Sequence, residues 1–138
     1  MRFHLSEEQV AIQDALRGTL DDCWQLEQQH RFADGDADFD PSSWEALMAL
    51  GLGSILLPDS GMGLLDAALA CEVVGEAAAP GPLIGQLLAV AAVARSNNTA
   101  AKAHLPGLEA GTIIATVALG DSPYVQCARA AQLFLAGT

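Results

Sequence analysis

The sequence predicts an all-α fold, an up-and-down helical bundle of about five helices, with one or two short β-strands at the C-terminal end. Through most of residues 7–105, apolar side chains recur every three or four positions, which is the period of an amphipathic helix. Proline and glycine interrupt this pattern where one helix would end and the next begin. After Gly111 the pattern changes to a continuous run rich in β-branched residues, which is typical of a strand.

The first predicted helix spans residues 7–28. Ser6 and Gln9 have the spacing of a capping box, in which two side chains satisfy backbone N–H groups at the helix start. The next segment, residues 33–40, alternates aspartate with small residues and has no helical period, so it is predicted to be a solvated loop. Because it lacks the later glutamate that closes a calcium loop, no metal site is predicted there.

The second predicted helix begins at Pro41, with Asp40 as its N-cap, and Gly51 ends it. Residues 52–63 are predicted to be an irregular apolar stretch closed by a turn that contains proline and glycine. The third predicted helix follows at residues 64–79.

The predicted core takes apolar side chains from each helix. On the third helix, Leu65 is expected to join Leu69 and Val73 on the buried face. The fourth helix, residues 83–95, is apolar nearly all round, so it is expected to lie inside the assembly. The core side chains that we expect are Trp44, Leu47, Leu50, Leu69, Val73, Leu87 and Leu88.

The last predicted elements are short. A fifth helix is expected at residues 99–105, with Thr99 as its N-cap and Pro106 ending it. Residues 112–119 form the first predicted strand, and residues 132–136 are a candidate second strand. One or two strands cannot make a stable sheet alone, so we expect the β-structure to be incomplete.

Charge and composition exclude several classes of function. The 138 residues carry seventeen acidic and six basic side chains, for a net charge of −11, so nucleic acid is not an expected partner. The most apolar run, residues 82–94, is too short to span a bilayer. Three cysteines without metal or disulfide spacing predict reduced core thiols, and together with an N-terminus that lacks a signal-peptide pattern they favour a cytoplasmic location.

We find no catalytic constellation and no metal-ligand spacing in the sequence. Glu72 and Glu76 lie one helical turn apart and could act as an acid–base pair, but such carboxylates are more often solvated or paired with a cation. The three histidines have no nucleophile pattern around them and are expected at the surface. Gly61 and Gly63 are expected in a turn rather than in a phosphate-binding loop, because no lysine follows them.

Six short patterns follow one another along the chain. They are F-x-L-S-E-E-Q at residues 3–9, W-x-x-L-x-x-L-G-L at 44–52, L-P-D-x-G-x-G at 57–63, C-E-V-V-G-E at 71–76, P-x-P at 80–82 and A-x-L-P-G-L-x-x-G at 103–111. In this order they resemble the N-terminal helical domain of the acyl-CoA dehydrogenases, and the resemblance covers residues 1–119.

The resemblance implies that residues 1–111 are that helical domain and that residues 112–138 begin a β-domain. It implies an FAD-dependent oxidoreductase that carries out α,β-dehydrogenation of an acyl-CoA thioester. The remaining domains or a partner subunit would complete this enzyme, which would be an oligomer. Because the family's catalytic glutamate belongs to those later parts, no catalytic residue is expected in this chain, and the chain alone is expected to be inactive.

The resemblance also implies where cofactor and substrate would contact the chain. At the end of the first strand, where the family touches its flavin, the candidates for FAD contact are Leu119, Gly120 and Ser122, although Gly120 supplies no hydroxyl. The family's acyl tail lies along helices of this domain, and a hydrocarbon tail needs apolar walls with few polar interruptions. On the apolar fourth helix, the candidate lining residues are Leu83, Ile84, Gln86, Leu87 and Leu88, with Gln86 as a polar marker.

Two other interpretations are kept. The chain could be a non-catalytic helical scaffold or interaction module derived from that domain, or a helical protein unrelated to the family. A scaffold would purify without colour, whereas flavin absorbance would favour the enzyme. For each candidate lining residue, packing against neighbouring helices is the alternative to contact with an acyl tail.

Overall fold

The computed structural model describes residues 4–120 and 124–137, and these residues are mostly helical with a two-stranded sheet at the C-terminal end. The predicted fold class is confirmed. A short 3-10 helix at Leu52–Ser54 lies between the third and fourth α-helices. The elements are α1 (Glu7–Cys23), α2 (Leu26–Ala33), α3 (Pro41–Ala49), α4 (Leu64–Glu76), α5 (Leu83–Arg95), α6 (Thr99–Lys102), α7 (Leu105–Glu109), β1 (Ala115–Leu119) and β2 (Leu133–Gly137).

Helix α1 begins at the predicted capping box but ends earlier than predicted. The Ser6 hydroxyl accepts a hydrogen bond from the Gln9 amide at 3.1 Å, and the Gln9 side chain accepts one from the Ser6 amide at 3.0 Å. The helix ends at Cys23, and the buried indole Nε1 of its C-cap residue Trp24 donates to the Ala77 carbonyl at 3.1 Å. Trp24 leaves the helical conformation while its indole is buried against the end of α4, so the predicted helix over residues 7–28 is divided into α1 and α2.

Helix α3 has the predicted cap and carries the tryptophan that joins it to the C-terminal part. The Asp40 carboxylate accepts hydrogen bonds from the Ser43 amide at 2.8 Å and the Ser43 hydroxyl at 2.7 Å. Burial alone would raise the pKa of Asp40, but these hydrogen bonds outweigh burial and lower it. The buried Trp44 indole donates to the Gly111 carbonyl at 3.0 Å, across 67 positions of sequence.

Gly111 is required at that contact for two reasons. Its φ of +69° is a left-handed conformation that side chains rarely adopt. A Cβ placed there would also lie 2.4 Å from Cγ of Met48 and 2.9 Å from the Trp44 Nε1. The change from a helical to a strand pattern after Gly111 therefore coincides with a sharp turn that packs directly against α3.

The core confirms four of the seven predicted side chains and corrects the others. Trp44, Leu47, Val73 and Leu87 are buried. Leu50 is 45% exposed because α3 ends at Ala49, one residue before it. The remaining two, Leu69 and Leu88, are respectively half-buried and 41% exposed.

The buried stripe of helix α4, which packs on α1, shares only Val73 with the predicted one. Its buried residues are Ala67, Ala70, Val73 and Val74, which place small side chains at the contact with α1. Leu65, predicted to be buried, is 59% exposed because it lies beside this stripe.

The α6–α7 region differs from the predicted fifth helix. Asn98, not Thr99, caps α6, and its side chain accepts a hydrogen bond from the Ala101 amide at 3.1 Å. Pro106 lies in the first turn of α7 rather than after a helix. Proline is tolerated there because the first-turn amide has no partner within the helix.

Strands β1 and β2 pair in parallel, from Ala115 opposite Leu133 to Leu119 opposite Gly137. Strand β1 is shorter than the predicted 112–119, because the Ile113 amide donates back to the Gly107 carbonyl at 3.0 Å and holds this part in a turn. Strand β2 begins one residue after the predicted start. The predicted turn at residues 120–123 lies mostly outside the described residues.

A charged clamp joins the loop after α2 to the segment before β2. Arg129 binds the Asp36 carboxylate through Nη1 at 3.1 Å and the Asp38 carboxylate through Nη2 at 2.9 Å. Its Nη2 also donates to the Asp36 carbonyl at 2.7 Å. The guanidinium hydrogen bond, opposed by burial, lowers the pKa of Asp38. The predicted solvated loop is thus tethered to residues more than 90 positions away.

Candidate functional site

Helix α5 lies between the helical core and the sheet, and its inner face is bound into the fold. Gln86 is fully buried and makes three short hydrogen bonds. Its Nε2 donates to the carbonyls of Leu108 at 2.7 Å and Ile113 at 2.8 Å, and its Oε1 accepts from the Ala115 amide at 2.7 Å. Gln86 therefore connects α5 with α7 and with the start of β1.

Close packing fixes α5 against β1. A Cβ at Gly85 would lie 3.2 Å from the Thr116 Cα, which is tighter than most real contacts. The absence of a side chain at Gly85 thus lets the helix backbone approach the strand. Gly85 and Thr116 both line the groove that lies beside this contact.

The outer side of α5 carries an open apolar groove of about 280 Å³, here called the strand-side groove. Ile84 is 60% exposed and Leu88 is 41% exposed, and both line it. Its lining residues are Ile84, Gly85, Leu88, Thr116, Val117, Leu119, Tyr124 and Gln126. Ile84, Leu88, Val117 and Leu119 supply apolar walls that can hold an apolar ligand, and Thr116, Tyr124 and Gln126 add polar groups.

A second groove of about 450 Å³ continues along α5 beyond Leu88 and is here called the arginine-end groove. Leu88 lines both grooves, so the two are neighbours on one helix face. The residues that line it are Leu56, Met62, Gly63, Leu64, Leu88, Ala91, Ala92 and Arg95.

The structure separates the five candidate lining residues into two sets. Ile84 and Leu88 lie on the open strand-side groove. Leu83, Gln86 and Leu87 are buried, and Leu83 also borders a smaller cavity of about 200 Å³ beside α4. Contact of these five residues with substrate stays a prediction.

Apart from Leu119, a candidate flavin contact, the groove residues outside α5 are not predicted from the sequence. Thr116 donates through its hydroxyl to the Gln126 carbonyl at 2.7 Å, which brings the segment after β1 over the groove. Gln126 also donates to the Gly81 carbonyl at 3.1 Å. Only the three-dimensional pairing of these segments reveals their place, since neither carries a local motif.

No family model matches the chain, and no curated protein matches it. A solved structure of a variant of the steroid acyl-CoA dehydrogenase Tcur3481-Tcur3483 is similar, with a TM-score of 0.75 and 27% sequence identity. The similarity covers 88% of this chain and 35% of that one, so the chain spans about a third of the neighbour's length. The resemblance to the acyl-CoA dehydrogenases is confirmed.

An acyl-CoA dehydrogenase uses FAD, and the candidate flavin contacts at the end of β1 can be tested against the structure. Leu119 is 64% exposed and apolar, and the Gly120 amide already donates to the Gly137 carbonyl at 3.3 Å. Ser122 lies outside the described residues. Leu119, Gly120 and Ser122 therefore stay a prediction as flavin contacts.

The carboxylates of α4 are paired with other side chains rather than with each other. Glu76 lies 3.6 Å from the Arg17 guanidinium, and Glu72 accepts a hydrogen bond from the Gln13 side chain at 3.3 Å. Within residues 4–120 and 124–137, no carboxylate lines the strand-side groove, and no group of three or more metal-ligating side chains occurs. The described residues that line the strand-side groove therefore supply no carboxylate for proton transfer.

The other predicted features are located as follows. All three histidines are exposed, as predicted. The three thiols are free but only half-buried, which corrects the prediction of core thiols, and burial raises the pKa of Cys71. In the part of the chain that the structure describes, no helix has the length and apolar character needed to cross a bilayer.

Proposed function

We propose that this chain forms the helical wall that holds the acyl tail in an acyl-CoA dehydrogenase. The enzyme, completed by the remaining domains or by a partner subunit, would carry out FAD-dependent α,β-dehydrogenation of an acyl-CoA thioester. The observation that carries the proposal is the similarity to a steroid acyl-CoA dehydrogenase over 88% of this chain. The open apolar groove on α5 supports it, because a hydrocarbon tail needs such a surface.

In this proposal the chain contributes binding and exclusion of water. Ile84 and Leu88 present branched apolar side chains to the groove, and each buried methylene of a ligand would contribute about 0.8 kcal/mol. Gln86 and Gly85 hold α5 against β1. The base that removes the α-proton and most contacts to the flavin are assigned to the remaining domains or the partner subunit.

The substrate class follows from the groove and from the neighbour. No charged residue lines the strand-side groove among the described residues, so the tail that it holds should be uncharged. The similar solved protein is named as a steroid enzyme, and steroid-derived acyl-CoA thioesters are therefore the first substrates to test beside straight-chain ones.

The test replaces Ile84 with tryptophan in the completed enzyme. Ile84→Trp should narrow the groove and shift kcat/KM toward smaller acyl groups across a series of acyl-CoA thioesters. The matched control is Leu65→Trp on α4, which changes a similarly exposed apolar residue outside the groove and should leave the profile unchanged. An unchanged profile for a folded Ile84→Trp enzyme would remove Ile84 from the acyl site.

The second candidate function is a non-catalytic scaffold derived from the same domain. It is favoured by the strand-side groove, whose described lining residues include no carboxylate. The scaffold would bind a partner polypeptide and stay colourless after purification and after mixing with that partner. Flavin absorbance in the assembled complex would contradict it.

A further inference from the structure

The arginine-end groove combines apolar walls with a single cation. Its lining residues are apolar except for Arg95, and Leu64 and Leu88 leave 74% and 41% of their surface exposed. Its volume of about 450 Å³ lies within the usual range of ligand pockets, roughly 300–1,000 Å³. An apolar surface that ends at one positive charge is complementary to an amphiphilic anion.

Arg95 is held in place without a carboxylate. Its Nη1 donates to the Leu56 carbonyl at 3.0 Å and to the Ala91 carbonyl at 3.1 Å. Among residues 4–120 and 124–137, no carboxylate lies within 4 Å of its nitrogens, whereas Arg17 and Arg129 are both paired with aspartates. Because both contacts use Nη1, the guanidinium keeps Nη2 and Nε for a planar, two-oxygen partner.

The position of Arg95 on α5 sets the length of the ligand. Leu88, Ala91, Ala92 and Arg95 lie on one face of α5, and seven residues of helix span roughly 10 Å. An alkyl chain of medium length can therefore cover the apolar residues while its head group reaches Arg95.

We propose that the arginine-end groove binds a free, single-chain carboxylate, with the carboxylate on Arg95 and the alkyl chain over Ala92 and Leu88. The site goes beyond the proposed function, because it concerns a different ligand head group and shares only Leu88 with the strand-side groove. It needs neither a flavin nor a thioester.

Calorimetric titration of the full chain with decanoate and with decanol tests this site. Decanoate should bind the unsubstituted chain, and Arg95→Gln should weaken that binding at least about tenfold, since a bond to a charged group is lost. Decanol should bind both proteins equally. The matched control is Arg31→Gln on α2, another arginine without a carboxylate within 4 Å in the described ranges, and it should leave decanoate binding unchanged.

A second variant keeps the test decisive if Arg95→Gln does not fold. Leu64→Asp places a negative charge in the groove at a highly exposed position, so it should preserve the fold and weaken decanoate about tenfold. The proposal is overturned if decanoate does not bind the unsubstituted chain, or if it binds Arg95→Gln and Leu64→Asp as tightly as the unsubstituted chain. It is also overturned if the chain binds only vesicles of anionic lipid and not decanoate. Each outcome is independent of whether the completed protein is a dehydrogenase.

Discussion

Gln86 shows how one buried polar side chain can define a groove that it does not line. Its amide satisfies two carbonyls and one backbone amide in the interior, with every distance below 2.9 Å. Burial of such groups costs free energy unless hydrogen bonds compensate. The residue that looks from the sequence like a polar marker in a substrate wall is fully engaged in joining α5 to β1 and α7.

The replacement Gln86→Leu should therefore destabilise the chain by about 2 kcal/mol or more, because the Ala115 amide loses its acceptor and the Ile113 carbonyl loses its donor. Urea unfolding followed by circular dichroism measures the loss. The control Gln25→Leu, at an exposed position, should change stability by less than about 0.5 kcal/mol. Equal stability of the two variants would contradict the structural role of Gln86.

At the scale of single elements, the start of α4 depends on a charged cap. One Asp66 oxygen accepts the Gly63 amide at 2.7 Å, and the other accepts the Gln9 side chain of α1 at 3.0 Å. The Gln9 contact, followed by the Gly63 contact, lowers the pKa of Asp66. The carboxylate thus stabilises both the helix start and the α1–α4 pair.

A lowered pKa in the folded state fixes the sign of the pH dependence. The contribution of Asp66 is fully present above the unfolded pKa of about 3.9 and is lost as the pH falls through the lower folded value. Asp66→Asn should reduce stability at pH 6 by about 0.3–1 kcal/mol and should matter less near pH 3. Thermal melts at both pH values measure this, with Asp59→Asn on an exposed turn as control; a loss that persists at pH 3 would contradict it.

The sequence predicts those elements whose signals are local. The Ser6 and Asp40 caps were located from their spacing, and α5 has the bounds that its apolar run predicts. The predicted ends of α1 and β1 are wrong because tertiary contacts set them. Trp24 leaves α1 because its indole is buried against α4, and β1 is shortened by the turn at Gly111. Local patterns do not contain those contacts.

The candidate site was predictable only in part for the same reason. An apolar helix indicates a buried or ligand-lining element. When a helix is apolar on all sides, however, its periodicity cannot show which face is buried and which face is open. Ile84 and Leu88 are open while Leu87 is buried, and this distinction depends on where β1 and the segment with Gln126 pack. The proposed boundary near residue 111 stays a prediction.

At the scale of the whole molecule, the charge is concentrated at one end of the sequence. Residues 1–66 carry thirteen acidic side chains and residues 67–138 carry four, against three basic ones in each part. The second part provides Arg95 and the α5 side of the arginine-end groove, so an anionic ligand would be held by a local cation in a molecule that repels it overall. Decanoate binding should consequently strengthen when salt screens the distant carboxylates and leaves the apolar contact intact.

The clamp of Arg129 on Asp36 and Asp38 also bears on the order in which the chain assembles. It joins positions more than 90 residues apart, and its arginine is 63% exposed, so it can form only after both of its segments are positioned. Arg129→Gln should speed unfolding several-fold and leave the refolding rate unchanged, whereas Arg31→Gln, within α2, should alter neither. Stopped-flow unfolding and refolding in urea would measure both rates. Slower refolding of Arg129→Gln would mean that the two segments joined by the clamp meet early in folding. If the two segments meet last, the ion pair forms only in the folded state. It then sets the lifetime of the folded protein by slowing its unfolding.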